Sequence, residues 1–370
     1  MIDLYAHLNE PVIIETIDVL RTKRGEFVRT RSTDGATGLM RANKRLLLML
    51  PLLKELVIPF FVGKDARNLP ELVEQIYVYR NNYKYTGLIL WNSVSHVELS
   101  ILDLLGQIAG KPVHALLGSV LRTEIPVYIS SLTRETTPEE EVEWLAQRLR
   151  ESGAQAVKLK IGGRMSNNAD AMPGRTERLI PLARRTFGDD ITIYVDANSS
   201  YDATTAIEVG RMLEDHGVAF FEEPCPFDDY EATQQVADAL TMPVAGGEQE
   251  SSLPRFRSMI RNRGVDVVQP DILYNGGLIR CLQVAQWAAE VNMPCTPHSP
   301  NSDSNAAYML HFAAVVENSG PYQEYHGTPR PTPSWYAPPL DVRHGVVSVP
   351  QGAGLGISYD PSIFENGEKV

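Results

Sequence analysis

Cysteine is scarce. The chain has three among 370 residues, Cys225, Cys281 and Cys295, with no C-x-x-C pair and no His/Cys metal spacing. An odd, small count gives no disulfide framework and no thiolate zinc site, and it suits a reducing cytoplasm. Basic charge is also short: 34 Lys and Arg stand against 46 Asp and Glu, a formal net charge of −12. That average field argues against a nucleic-acid surface or an anionic membrane surface, while leaving room for a local basic pocket for a small acid. Long unbroken apolar runs are missing. The strongest candidate, Leu46 to Gly63, is interrupted by Pro51, by Lys54 and Glu55, and by Pro59. A spanning helix needs about 20 mostly apolar residues without central charges, so this stretch is expected to be buried structure rather than a membrane segment. The first residues lack the basic-then-apolar layout of a signal peptide. No heptad run and no low-complexity segment is found.

What is present is ordinary globular material, 43% hydrophobic and 22% charged, long enough for two domains or one barrel with additions. Its organising feature lies between Ile191 and Glu250. Three short β-like runs, ITIYVDANSS, VAFFEEPCP and MPVAGGEQES, each end in a carboxylate: Asp196, Glu222 and Glu248, spaced 26 residues apart. Helical patterning fills the gaps. A strand-plus-helix unit of constant length with an acid at each strand's C-terminal end predicts a parallel β/α barrel, whose strand ends converge on one face. Three convergent acids suit a hard divalent cation.

The pattern extends both ways. Upstream, IPVYISS reads as a first strand. The segment TPEEEVEWLAQRLRESG reads as a helix with Thr137 as N-cap, Pro138 at its first position and Gly153 as stop. AVKLKIGG is the second strand, and alternation places Lys158 and Lys160 on one face of it. From Lys160 to Asp196 is 36 residues, ten more than the repeat, so the polar stretch GGRMSNNADAMPGR is expected to be a loop on the active face. Downstream, VDVVQPD ends at Asp271, MPCTPHS carries His298 and GPYQEYHG carries Glu324, at steps of 23, 27 and 26 residues. Eight strands are thereby predicted. Residues 1–124 read differently: alternating runs around the turn pair Asp34-Gly35, then helical patterning in ELVEQIYVYRNNY and in SHVELSILDLLGQIAG, which stops at Gly110. Strands followed by helices predict a small α+β domain. Residues 125–327 would be the barrel. Residues 328–370, Pro-rich at first and then strand-like at HGVVSVP, would return to the first domain.

The ordered set K-x-K, D-x-N, E-E-P, G-E, P-D…G-G and P-H resembles the enolase superfamily, and within it the mandelate racemase subgroup. SHVELSILDLLGQIAGKPVHALLG is similar to that family's segment joining capping domain to barrel, and PQGAGLGI to its C-terminal return. Gln249 stands where Asn or His is frequent in the family. The resemblance implies an N-terminal α+β capping domain, a (β/α)7β modified TIM barrel, one Mg²⁺ held by Asp196, Glu222 and Glu248, and removal of the proton α to a substrate carboxylate. It also implies a homo-oligomer.

On that basis Lys160 is expected to be one proton carrier. Lys158 would tune it and contact the substrate carboxylate. His298 would be the second carrier, oriented by Asp271. Glu324 is expected to be protonated and to donate a hydrogen bond to the developing oxyanion. Asn198 and Arg164 are candidate substrate contacts, with Asn167, Asn168 and Arg175 near them. Glu223 is expected to point away, because neighbours on a strand face opposite sides. The stretch Arg21 to Arg31 and the loop from Gly162 to Arg175 are expected to close over a small-molecule carboxylate. Dehydration of an acid sugar to a 2-keto-3-deoxy acid is the leading expectation. Racemisation or epimerisation of a 2-hydroxy acid is the second, and a non-catalytic metabolite-binding barrel is the third.

Overall fold

The computed structural model describes residues 2–327 and 335–370. The chain starts with an antiparallel sheet of β1 (Ile14–Thr22), β2 (Gly25–Ser32) and β3 (Thr37–Arg41). The Asp34-Gly35 pair turns β2 into β3, with Gly35 at φ +91° and its N–H on Ser32 O. The stretch Arg21 to Arg31 is therefore strand and hairpin turn, not a loop. The apolar stretch after β3 is helical through Phe61, with a π-type turn at Leu53–Val57 following Pro51. Its face Leu46, Met49, Leu53, Val57, Phe60 and Phe61 is buried, while Leu48 is exposed.

A 22-residue helix, Leu88–Ala109, follows and ends at left-handed Gly110. It is long and apolar enough to cross a membrane, but 89% of its apolar window is buried inside the protein. Its polar residues are buried with it, and they tie the chain together. Asp103 accepts from Leu39 N–H at 2.7 Å and Leu355 N–H at 2.6 Å. Asn92 donates to Leu273 O at 3.1 Å. Glu98 accepts from Ile279 N–H at 2.9 Å, at the start of helix Leu278–Ala289. This contact explains the second of the two glycines before that helix: Gly277 has φ +111°, and a Cβ there would lie 2.4 Å from the Glu98 carboxyl, whereas one on Gly276 would meet Arg280 and Trp91.

The parallel strands are β4 (Glu124–Ser130), β5 (Ala156–Lys160), β6 (Thr192–Asp196), β7 (Phe220–Glu222), β8 (Val244–Gly246), β9 (Val267–Val268) and β10 (Gln323–His326). They run in that order, and β10 pairs back onto β4. The predicted seventh strand is reduced to parallel bridges of Cys295 with Val268 and with Ser319. Pro294 and Pro297 flank Cys295 and lack the N–H a ladder needs. β9 is short for the same reason, since Pro270 follows Gln269, and Asp271 lies beyond the strand. Helices cover the outside. Pro138–Ser152 has the predicted Thr137 cap and Gly153 stop, with Glu140 closing a capping box.

Alternation along the strands separates two layers. Val157, Leu159, Ile193, Val195 and Phe221 face the helices. Tyr128, Ala156, Tyr194, Phe220, Ala245 and Val267 fill the barrel's interior. The next inward residues along the chain are Ser130, Lys158, Asp196 and Glu222, so the polar site sits directly on an aromatic floor. Of the last segment, residues 328–334 of the Pro-rich stretch lie outside the described residues. Beyond them come β11 (Tyr336–Ala337), β12 (Val346–Ser348), β13 (Ser358–Tyr359) and β14 (Glu368–Lys369). β14 extends the N-terminal sheet beside β1, whereas β12 pairs with β4 of the barrel.

Candidate metal centre and acid–base site

Asp196 and Glu222 are the last residues of β6 and β7, and Glu248 lies two residues past β8. One oxygen from each lies within 4.8 Å of the others, and all three side chains are buried. Such an all-oxygen set suits a hard divalent cation, and the buried Glu248 Oε2 makes no hydrogen bond, having only the ion-pair contact with His298 Nε2 at 3.3 Å. The acids bring cations to them. Lys158 Nζ lies 2.8 Å from Glu222 and 2.8 Å from Glu324. Lys160 Nζ bonds Asp196 Oδ2. His298 Nε2 is 3.3 Å from Glu248, and its Nδ1 is 2.7 Å from Asp271 Oδ2. Asp271 is itself held, with Oδ1 accepting from Leu273 and Tyr274 N–H at 2.7 and 2.9 Å.

Burial and crowding set the protonation preferences. Burial pulls Lys158 down, but Glu222 and Glu324 outweigh it and hold the ammonium well above the usual lysine range. Burial pushes Asp196 up, yet Lys160, Lys158 and Arg134 carry it below an ordinary aspartate. Glu222 is raised to about 7 by burial, with Asp196 and Glu324 adding to it against Lys158. For His298, burial is overcome by Glu248, Asp271 and Glu324, which raise it to about 10. A cation shared with Glu248 would weaken the strongest of those attractions.

Several expectations change here. Glu223 does not point away: its backbone leaves the strand at φ +41°, and its Oε2 lies 3.4 Å from the Asn198 amide nitrogen. Burial and the nearby Glu248 and Asp196 hold Glu223 well above the usual carboxylate range. Glu324 is not surrounded as a proton donor. Its oxygens accept from Lys158, from Ser130 Oγ at 2.9 Å and from Ser299 N–H at 2.8 Å. Burial is outweighed by Lys158 and His298, which bring it down to about 2. Arg175 is a structural anchor, fully buried and donating to Thr136 O and Lys160 O at 2.8 Å each. The loop from Gly162 runs along the segment after β6. Met165 N–H bonds Asn198 O, Asn168 N–H bonds Ser200 O, and the Asn168 side chain bonds Asp202. Arg164 is exposed there, tied by its own N–H to Ser200 Oγ, and is not brought into the cluster.

Other residues join: Gln269 and Arg134, which the sequence did not single out, and Gln249, which it marked only as a departure from the family pattern. Gln269 donates to Glu222 Oε2 at 3.0 Å, and Gln249 to Glu248 Oε1 at 2.9 Å. Arg134 reaches from the loop after β4 to Asn198 Oδ1 at 2.9 Å. A lone arginine in a loop carries no spacing signal. The N-terminal sheet meets the barrel mouth beside His298. Arg45 Nη1 donates to Tyr274 Oη at 2.6 Å, Tyr274 packs on the His298 ring, and Arg41 pairs with Asp303.

Comparison with known proteins agrees with this geometry. The sequence profile of the family described as "Enolase C-terminal domain-like" matches residues 140–363. The arabinonate dehydratase of Saccharolobus solfataricus is 28% identical over 315 residues, 85% of this chain and 82% of that one. A provisionally named racemase from Roseobacter denitrificans superposes with a TM-score of 0.90 at 34% identity, over 97% of this chain and 100% of the other. A mandelate racemase/muconate lactonizing protein from Paracoccus denitrificans, solved with magnesium, superposes with a TM-score of 0.87 at 26% identity, over 97% and 99% of the two chains. The family match therefore covers the barrel from the helix after β4 onward, with its acid-tipped strands, and the structural likeness extends through the N-terminal sheet. On both grounds the chain belongs to the enolase superfamily, in its mandelate racemase and muconate lactonizing subgroup, closely related to the acid-sugar dehydratases.

Proposed function

We propose that the protein is a magnesium-dependent acid-sugar dehydratase. The observation that carries this reading is the placement of two proton carriers on either side of one carboxylate cluster. Lys160 lies against Asp196, and His298 lies against Glu248 on the far side of the metal strands. Asp196, Glu222 and Glu248 would hold the ion. Bound there, it would supply Lewis-acid stabilisation of negative charge on the substrate carboxylate.

The protein's own groups then account for the proton movements. Lys160 or His298 takes the proton from the carbon α to the carboxylate, and the electron pair passes into the carboxylate as an enediolate. The other carrier protonates the β-hydroxyl, which leaves as water. The resulting enol becomes a 2-keto-3-deoxy acid. Asp271 keeps His298 Nδ1 protonated, so that Nε2 faces the site. Lys158, locked between Glu222 and Glu324, places a fixed positive charge beside the substrate carboxylate. The Asn198 amide is already engaged by Arg134, Asp196 and Glu223 at that edge, and Arg164 would need its exposed side chain to turn inward. Acid sugars are favoured over a simple 2-hydroxy acid because the named relatives include dehydratases of arabinonate, mannonate and galactonate. The second reading, a racemase or epimerase, uses the same two carriers and is supported by the name of the Roseobacter relative.

The two readings separate in D₂O with Mg²⁺ and a library of acid sugars. The dehydratase gives 2-keto acid, whereas deuterium exchange at the α carbon with no keto product gives the racemase. Bound metal with neither signal refutes both. In Lys160→Ala and His298→Asn, residual exchange should come from opposite faces, and identical residual exchange in the two variants refutes a two-carrier site.

A further inference from the structure

Arg134 is a buried cation that the chemistry above does not use, only 5% exposed. It comes from the loop between β4 and the helix Pro138–Ser152 and crosses the mouth of two neighbouring strands. Its Nε donates to Ile161 O at 3.0 Å, and its Nη2 donates to Asp196 O at 3.4 Å and to Asn198 Oδ1 at 2.9 Å. The last contact decides how the Asn198 amide lies. A guanidinium only donates, so the amide oxygen must face it. The amide nitrogen must then face the other way. There it meets Asp196 Oδ2 at 3.0 Å and Glu223 Oε2 at 3.4 Å. Asn198 N–H adds a bond to Asp196 Oδ1 at 2.6 Å. Turned over, the amide would set its oxygen against two carboxylates and its nitrogen against a cation.

We propose that Arg134 is a positioning residue of the metal centre, which fixes the Asn198 amide so that it braces Asp196 and Glu223 together. This rests on the reading that Asp196 is a metal ligand. Arg134 touches neither the ligand oxygens nor the substrate position and works through Asn198. The bracing matters because Asp196 and Glu223 are both buried carboxylates and the Asn198 amide is the donor that they share. Partners of metal ligands in this position typically contribute about 10- to 100-fold in metal affinity.

Mn²⁺ alone is the probe, followed by electron paramagnetic resonance on the full chain. Arg134→Gln and Asn198→Ala should each weaken Mn²⁺ binding about 10- to 100-fold, and the double variant should bind no more weakly than the weaker single. Arg134→Lys should recover part of the affinity, since one ammonium can reach Asn198 Oδ1 but not all three acceptors. Wild-type affinity in Arg134→Gln, or losses that multiply in the double variant, would overturn the proposal. If Arg134→Gln does not fold, Arg134→Lys is compared in the wild-type and Asn198→Ala backgrounds. A loss only in the first supports the proposal, and equal losses in both overturn it. Failure of the wild-type chain to hold Mn²⁺ would instead sink the metal reading itself.

Discussion

Acid should loosen the protein at a place remote from its chemistry. His114 and His311 are both buried, their rings stacked with centroids 5.1 Å apart and their Nδ1 atoms 2.9 Å apart. His311 Nε2 is 3.0 Å from Leu355 O. A carbonyl only accepts, so Nε2 of His311 carries the proton and its Nδ1 is the acceptor, which makes His114 Nδ1 the donor. The pair joins the segment after the long helix, the last barrel helix and the C-terminal return. Burial lowers His311 from 6.5 to about 3, with His114 adding to the effect against the bond to Leu355. A histidine held neutral in the fold contributes its full stability above the unfolded value of 6.5 and loses it as pH falls toward the folded value. At pH 5 the loss from His311 alone is about 2 kcal/mol, from 1.5 units at about 1.36 kcal/mol each. Urea unfolding at pH 7 and pH 5 measures this against His311→Gln, which keeps a donor and an acceptor but does not titrate. The pH-dependent loss should be about 2 kcal/mol smaller in the variant. Long-range ¹⁵N spectra should show His311 as the Nε2–H tautomer from pH 7 to pH 5. Equal losses in both proteins, or a His311 ring that titrates near 6, would refute the reasoning.

Glu248→Gln should weaken Mn²⁺ binding by about 10-fold or more and abolish turnover, because one of three charged ligands is lost; wild-type affinity by paramagnetic resonance would remove Glu248 from the metal set. Asp271→Asn keeps an oxygen for the Leu273 and Tyr274 N–H groups but no longer holds His298 Nδ1 protonated. It should lower kcat by about 10²-fold or more with an unchanged melting temperature. Gly277→Ala should cost about 2 kcal/mol or more, since φ is +111° and the new Cβ meets Glu98 at 2.4 Å. Thermal unfolding reads this, and a wild-type melting temperature would show that the Glu98 contact yields easily.

Which residues the sequence could locate depended on periodicity. Asp196, Glu222 and Lys160 end their strands and Lys158 lies two residues before the end of its own, where alternation fixes facing and, for the two acids, equal spacing fixes depth. The same argument failed at Glu223, because Pro224 follows it and the backbone there has already left the strand. It also failed for Arg175 and Asn168, polar residues in a long loop that bind backbone carbonyls and Asp202 rather than the cluster. Loop composition reports polarity, not direction. Arg134 and Gln269 could not be found by spacing at all, since each acts through one long side chain whose partner lies far along the chain.

The two proposed proton carriers are held by different means, and this bears on what each can do. Lys160 is the last residue of a paired strand, in register with Asp196, and its carbonyl is clamped by Arg175. His298 stands where a strand was expected but prolines leave only a bridge at Cys295. Its ring is placed instead by Asp271, by Tyr274 and by the Ser299 N–H bond to Glu324. Tyr274 in turn carries Arg45, which lies past β3 at the start of helix Leu46–Leu52. A ladder-held lysine keeps one position whatever occupies the site. A histidine held by side chains can shift when the segment after β3 shifts, so His298 is the proposed carrier whose distance to the substrate that segment can set. Arg45→Ala should therefore change the step that uses His298, seen as slower exchange from that face, and leave exchange by Lys160 at its wild-type rate. Equal slowing on both faces would mean that Arg45 acts on the substrate itself rather than through Tyr274.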